Sequence, residues 1–156
     1  ETAALASEMA PVIAEAATSF TEAQRSIVPS ADPLADLVGL GRAYRAWALA
    51  HPALYAVMFG DRVPLPEAPS GAEEESMEPL LTTVSRAMAA GQLHAGDPMV
   101  AATSIWAGIH GWVSLEIAGR LSLGDAADDL ADEHLAAIAT YWLAAPGDGC
   151  MGVTPR

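Results

Sequence analysis

From Pro98 to Leu115 the chain reads PMVAATSIWAGIHGWVSL, without one charged residue. The segment predicts a helix: Asp97 suits the N-cap, Pro98 suits the first helical position, and apolar residues follow on every face. A helix that is apolar all round has no side to give to water, so it must be covered on more than one side. In a chain of 156 residues, one side meets the protein's own core or a ligand, and another meets a second subunit.

Composition narrows the class. The chain is 52% hydrophobic and 17% charged, which fits one globular domain with a real core. Its net charge is −13, and its strong cations are seven arginines, with no lysine. Such a surface repels phosphate backbones, so the chain by itself is not expected to grip nucleic acid. The single cysteine, Cys150, excludes an internal disulfide and fits a cytoplasmic location. The opening ETAALASEM has neither the basic nor the apolar stretch of a signal peptide. The charge-free segment approaches the length of a membrane span. It holds Thr103, Ser104, His110 and two glycines, however, and its basic flank is Arg120 alone, so no membrane partner is expected.

The periodicity predicts an all-α fold. Leu5, Met9, Val12, Ile13, Ala16 and Phe20 recur at helical spacing, giving a first helix from about Ala3 to Arg25 with Pro11 bending it. Asp32-Pro33 opens a second helix that runs to about Ala50, where His51-Pro52 breaks it. A short helix from Ala53 to Phe59 follows. The prolines from Pro64 to Pro69 mark a loop over 61–72. Glu73-Glu74-Glu75 then opens a helix capped by Gly91. After the Pro98–Arg120 helix and a turn at Ser122-Leu123-Gly124, a last helix spans about Asp125 to Ala144. Residues 1–145 read as the folded domain and 146–156 as a flexible tail. No strand pattern or repeat is present.

Chemistry-bearing patterns are sparse. The four histidines, His51, His94, His110 and His134, do not pair at metal-ligand spacing, so no metal site is expected. Ser114 lies four residues after His110, a spacing that ordinarily gives a helical hydrogen bond and not an activated nucleophile. Asp128, Asp129, Asp132 and Glu133 read as a solvated helix face. With no phosphate loop or dinucleotide fingerprint, neither catalytic residues nor a cofactor is expected.

Two stripes of the Pro98–Arg120 helix carry the functional expectations. Ser104, Gly108, Gly111 and Leu115 share one face. Glycine inside a helix costs about 1 kcal/mol against alanine, which close approach of another helix offsets. That helix belongs either to the same chain or to a second copy. On the other stripe Trp106 and His110 lie beside Val113 and Ile117. A histidine there is ordinarily a hydrogen-bonded core residue. With Tyr44, Tyr55, Met58 and Phe59, the stripe has the side chains that line either an ordinary core or an apolar cavity with a few polar handles.

AYRAWALAHPALYAVMFG, from Ala43 to Gly60, resembles a segment of the effector domain of TetR-family transcriptional regulators. AGQLHAGDPMVAATSIWAGIHGWVSLE, ending at Glu116, resembles a later one. In order and spacing they are similar to the subgroup named for its Trp-His-Gly signature, here Trp106, His110 and Gly111. The resemblance spans roughly Glu1 to Ala145. It implies an effector-binding and dimerisation domain, with a ligand pocket at Tyr44, Tyr55, Met58, Phe59, Trp106 and His110. It also implies a homodimer through the last two long helices, at Ser104, Gly108, Gly111, Leu115, Ile138 and Trp142. The implied role is a repressor modulated by a small hydrophobic effector. Operator DNA is then met through an N-terminal helix-turn-helix domain that this sequence, opening in the linking helix, does not contain. The alternative is a helical interaction module in which these aromatics are core and no small molecule binds.

Overall fold

Asp32 and Asp97 each start a helix as their sequences require. The Asp32 carboxylate accepts from the backbone N–H groups of Leu34 and Ala35, and Asp97 accepts from Met99, with proline next in both cases. The structure is a computed structural model that describes residues 2–60 and 71–144. It contains α1 (Thr2–Arg25), α2 (Pro33–Ala50), α3 (Pro52–Phe59), α4 (Gly71–Ala89), α5 (Pro98–Ile117) and α6 (Ala127–Trp142). The chain is all-α. Among the described residues, extended pairing amounts to one isolated bridge, Leu93 with Leu143.

Helix boundaries depart from the sequence expectation in three places. A 3-10 turn, Gly124–Ala126, precedes α6, whose helix begins at Ala127. Its last turn gives way at Leu143 to the bridge with Leu93. At the end of α5, Gly119 adopts φ +64° and the Arg120 N–H turns back to the Leu115 carbonyl, so the helix stops at Ile117 and not at Arg120. α1 continues through Pro11 as one assigned helix, and Val12, expected on its inner face, is exposed. The proline-rich loop and the flexible tail lie outside the described residues, except that Gly71 already belongs to α4.

The helix α5, without charge from Pro98 to Leu115, runs between two apolar clusters and supplies both. Ala101, Ala102 and Ile105 near its start pack with Leu37, Val84 and Trp142. Ile109 and Val113, one and two turns on, pack with Phe20, Tyr44 and Trp47. Two charged groups anchor α2 across the bundle. Arg45 forks onto Glu116 of α5, with nitrogen–oxygen distances of 2.6 and 2.8 Å, and reaches Asp128 at 2.7 Å. Arg42 forks onto Asp132 at 2.8 and 2.9 Å. The near-buried Glu116 carboxylate holds the Arg45 guanidinium protonated well above its ordinary range. At the opposite end of α2, buried Asp36 accepts from the Ser30 hydroxyl and backbone N–H and from Arg86 of α4. These contacts keep the Asp36 carboxyl below its usual range.

A candidate ligand site beside Trp106

Where α1, α2, α4, α5 and α6 converge, they leave a partly open cavity of about 40 Å³. Leu37, Leu40 and Tyr44 of α2 form one wall, and Ile105, Trp106 and Ile109 of α5 form the facing one. Leu135, Ile138 and Ala139 of α6 and Leu80 of α4 complete it, with Gln24 entering from α1. No charged side chain lines it.

Against this cavity lies an aromatic cage holding a polar cluster. The hydroxyls of Tyr44 and Tyr55 sit 2.9 and 2.8 Å from His110 Nδ1. The Tyr44 and Tyr55 hydroxyl oxygens stand 3.3 Å apart, and the Tyr55 hydroxyl lies 3.1 Å from Ser114 Oγ. His110 Nε2 faces the same serine oxygen at 3.5 Å. A neutral imidazole with its proton on Nε2 fits this geometry, because Nδ1 is then an acceptor within reach of both phenols, either of which can give it its single proton. Burial lowers the His110 pKa from its ordinary value, which favours that neutral form. Burial likewise pushes the Tyr44 hydroxyl up, with the Tyr55 hydrogen bond adding to it, and pushes Tyr55 up.

The cage is filled by its own rings. Phe59 lies 4.9 Å from Tyr55 and 5.1 Å from His110, centroid to centroid, and Trp106 lies 5.3 Å from His110. The six residues expected at the ligand site are therefore neighbours, but they divide. Tyr44 and Trp106 line the cavity, whereas Tyr55, Phe59 and His110 pack on one another and Met58 packs against the same core. Of the cavity walls, sequence reasoning named Tyr44 and Trp106 and missed the others, Gln24, Leu40, Ile109, Leu135 and Ala139 among them, while Ile138 was expected at the dimer seam. Gln24 carried a signal: with Ala16 and Phe20 it stands at i, i+4 and i+8 on the inner face of α1, a polar residue on an apolar stripe.

The residues expected at the dimer seam also divide. Ser104 and Leu115 are exposed, and a Cβ on Gly111 would meet nothing within 4 Å. Gly108 instead lies against Ile138 of the same chain, and Trp142 is buried in the core with Leu37 and Val84. The small side of Gly108 thus serves the α5–α6 contact within one chain. The exposed side of the pair carries Val100, Ser104, Ala107, Gly111 and Leu115 of α5 and Leu130, Ala137 and Tyr141 of α6. Tyr141 alone is 76% exposed. Among the described residues, no helix is long and apolar enough to cross a membrane.

Comparison with known proteins fits this architecture. Two solved structures share it. One is a protein of unknown function from Rhodococcus sp. RHA1, with a TM-score of 0.74 and 26% identity, covering 85% of this chain and 70% of that one. The other is a presumed regulatory protein, SCO4313, with a TM-score of 0.61 and 29% identity, covering 82% of this chain and 70% of that one. No curated protein matches the sequence. Residues 37–138, from the inner face of α2 to the Ile138 wall of the cavity, match the family model of the tetracyclin repressor-like C-terminal domain. The chain belongs to that family.

Proposed function

We propose that this chain is the effector-binding and dimerisation domain of a transcriptional repressor, not an enzyme, and that its effector is a small hydrophobic molecule. The observation that carries the reading is the cavity between α2, α5 and α6, lined without charge and flanked by Trp106 and Tyr44. Its lining, mostly apolar with a few polar groups, is of the kind small-molecule sites have. Its volume of about 40 Å³ is well below the roughly 300–1,000 Å³ of a formed ligand pocket, so an effector enters by widening it. The second copy covers the exposed apolar side of α5 and α6. That arrangement explains why α5 has no charge to offer solvent from Pro98 to Leu115. Operator DNA is its macromolecular partner under this reading, and the site of action is the cytoplasm.

The test is a thermal-shift screen of uncharged hydrophobic compounds against the chain and against Ala139→Leu, which fills the cavity from α6. The reading expects compounds that raise Tm in the first protein and lose that effect in the second. A helical interaction module without a ligand predicts that no compound distinguishes the two.

A further inference from the structure

We infer that Gln24 is the residue that reads the polar group of the effector. The ligand class is therefore an uncharged molecule with a hydrocarbon body and one hydroxyl or carbonyl group. This inference rests on the cavity being the effector site, and it specifies what that site selects.

Gln24 is 5% exposed and stands among the cavity walls. Its hydrogen bond among the described residues runs from Nε2 to the Leu40 carbonyl at 3.3 Å, a long contact with an oxygen that already belongs to the α2 backbone. A primary amide offers two donors and a carbonyl acceptor. One N–H is used at that length, and among the described residues the second N–H and Oε1 are free to meet a ligand or solvent. Buried amides ordinarily have partners, and one with spare capacity beside a void calls for an explanation. The Nε2/Oε1 assignment follows from the contact itself, since Oε1 facing the Leu40 oxygen would be repulsive.

The other polar groups nearby are already engaged. The Tyr44 ring lines the cavity, but its hydroxyl is committed to His110 and Tyr55. The remaining walls are hydrocarbon except for the Trp106 indole, whose N–H is directed to the Tyr44 hydroxyl. A carboxylate or ammonium entering the cavity would lose its hydration without meeting an opposite charge, which excludes ionised ligands. A pure hydrocarbon would add no hydrogen bond to the amide. A hydroxyl or carbonyl group gains a hydrogen bond that the empty cavity lacks. Because the cavity is partly open, a body larger than its enclosed part can project toward the surface while its polar end meets Gln24.

The test uses three probes that share one ring: toluene, benzyl alcohol and benzoate. Each is titrated into the chain while the methyl resonances of Leu37, Ile105, Leu135 and Ile138 are followed by NMR. The inference expects benzyl alcohol to bind about fivefold more tightly than toluene, the equivalent of one ordinary hydrogen bond, with benzoate silent. Gln24→Met, unbranched and of similar length, should abolish the preference for the alcohol while toluene still shifts the same methyls. Equal affinity for toluene and benzyl alcohol in the unaltered chain overturns the role of Gln24, as does a preference that survives Gln24→Met. The comparison in the unaltered chain decides the matter even if the variant folds poorly. If none of the probes moves these methyls, the cavity reading itself fails and the role of Gln24 falls with it.

Discussion

Ile138 fills the space that a side chain on Gly108 would need: a Cβ built there would stand 2.6 Å from Ile138 Cδ1 and 3.0 Å from Cγ1. Ile138 in turn walls the cavity. One residue of α6 thus sets how closely α5 and α6 pack and bounds the space between them and α2. Gly108→Val should force that contact apart and destabilise the chain by about 1–3 kcal/mol through overpacking. Chemical denaturation of the variant checks this.

Gly111 behaves oppositely, because nothing within 4 Å opposes a Cβ there. In a monomer, Gly111→Ala should stabilise α5 by up to about 1 kcal/mol, the helix-propensity difference. Under the proposed dimer, Ala107→Glu on the same exposed side should dissociate the pair and leave the helix content unchanged. Sedimentation equilibrium at micromolar concentration, with circular dichroism alongside, reads both. A monomeric unaltered chain would remove the dimer from the account. A lasting dimer should bury more than about 1,000 Å².

Tyr44 and Tyr55 both approach one nitrogen, His110 Nδ1, at 2.9 and 2.8 Å. Either hydroxyl alone can satisfy it. Tyr44→Phe and Tyr55→Phe should therefore each cost about 0.5–1.5 kcal/mol, while the double change leaves a half-buried acceptor bare and costs about 1 kcal/mol beyond their sum. A double-mutant cycle measures the excess. Additive costs would mean that the two hydroxyls do not share the acceptor.

His110 also sets a pH dependence. Burial places its folded pKa below the ordinary 6.5, so the unfolded chain takes up a proton at this site before the folded one does. Stability from this group is complete above about pH 6.5 and is lost as pH falls through the lower, folded pKa. His110→Gln should flatten the stability profile just below pH 6.5. The Asp36 and Asp132 carboxyls lie below their ordinary 3.8. Their contributions fade in a separate, more acid window.

Arg45 and Glu116 form the least exposed of the described ion pairs, with side chains 15% and 13% exposed. Glu116→Gln leaves a largely desolvated guanidinium beside a neutral amide and should cost about 2–4 kcal/mol. Asp128 is 91% exposed on the same arginine, and Asp128→Asn should change stability by less than about 1 kcal/mol. Urea titration separates the two.

Helix identity was legible in the sequence because caps and prolines are local signals: Asp32-Pro33 and Asp97-Pro98 start α2 and α5 as their chemistry demands. The partner of a face was not. A stripe of small residues says that something comes close, without saying from which chain, so Gly108 read equally well as a dimer seam or as the seat of Ile138. Trp142 was expected at the dimer seam because the resemblance implies pairing through the last two long helices. The bridge between Leu93 and Leu143, a long-range contact with no local signature, draws that end inward. His110 was legible as a buried polar residue. Its two phenolic partners are distant in sequence, and residue types alone do not reveal how tightly their rings pack. The void left beside Trp106 is likewise a property of side-chain shapes in three dimensions.

The account rests on an apolar space beside Trp106 that is distinct from the packed rings around His110. Crystals of the chain pressurised with xenon would locate that space directly, since the gas enters dry apolar cavities. The account predicts a xenon atom ringed by Leu37, Ile105 and Ile138. Xenon seated only among Tyr55, Phe59 and His110, or absent from the helical bundle, would contradict it.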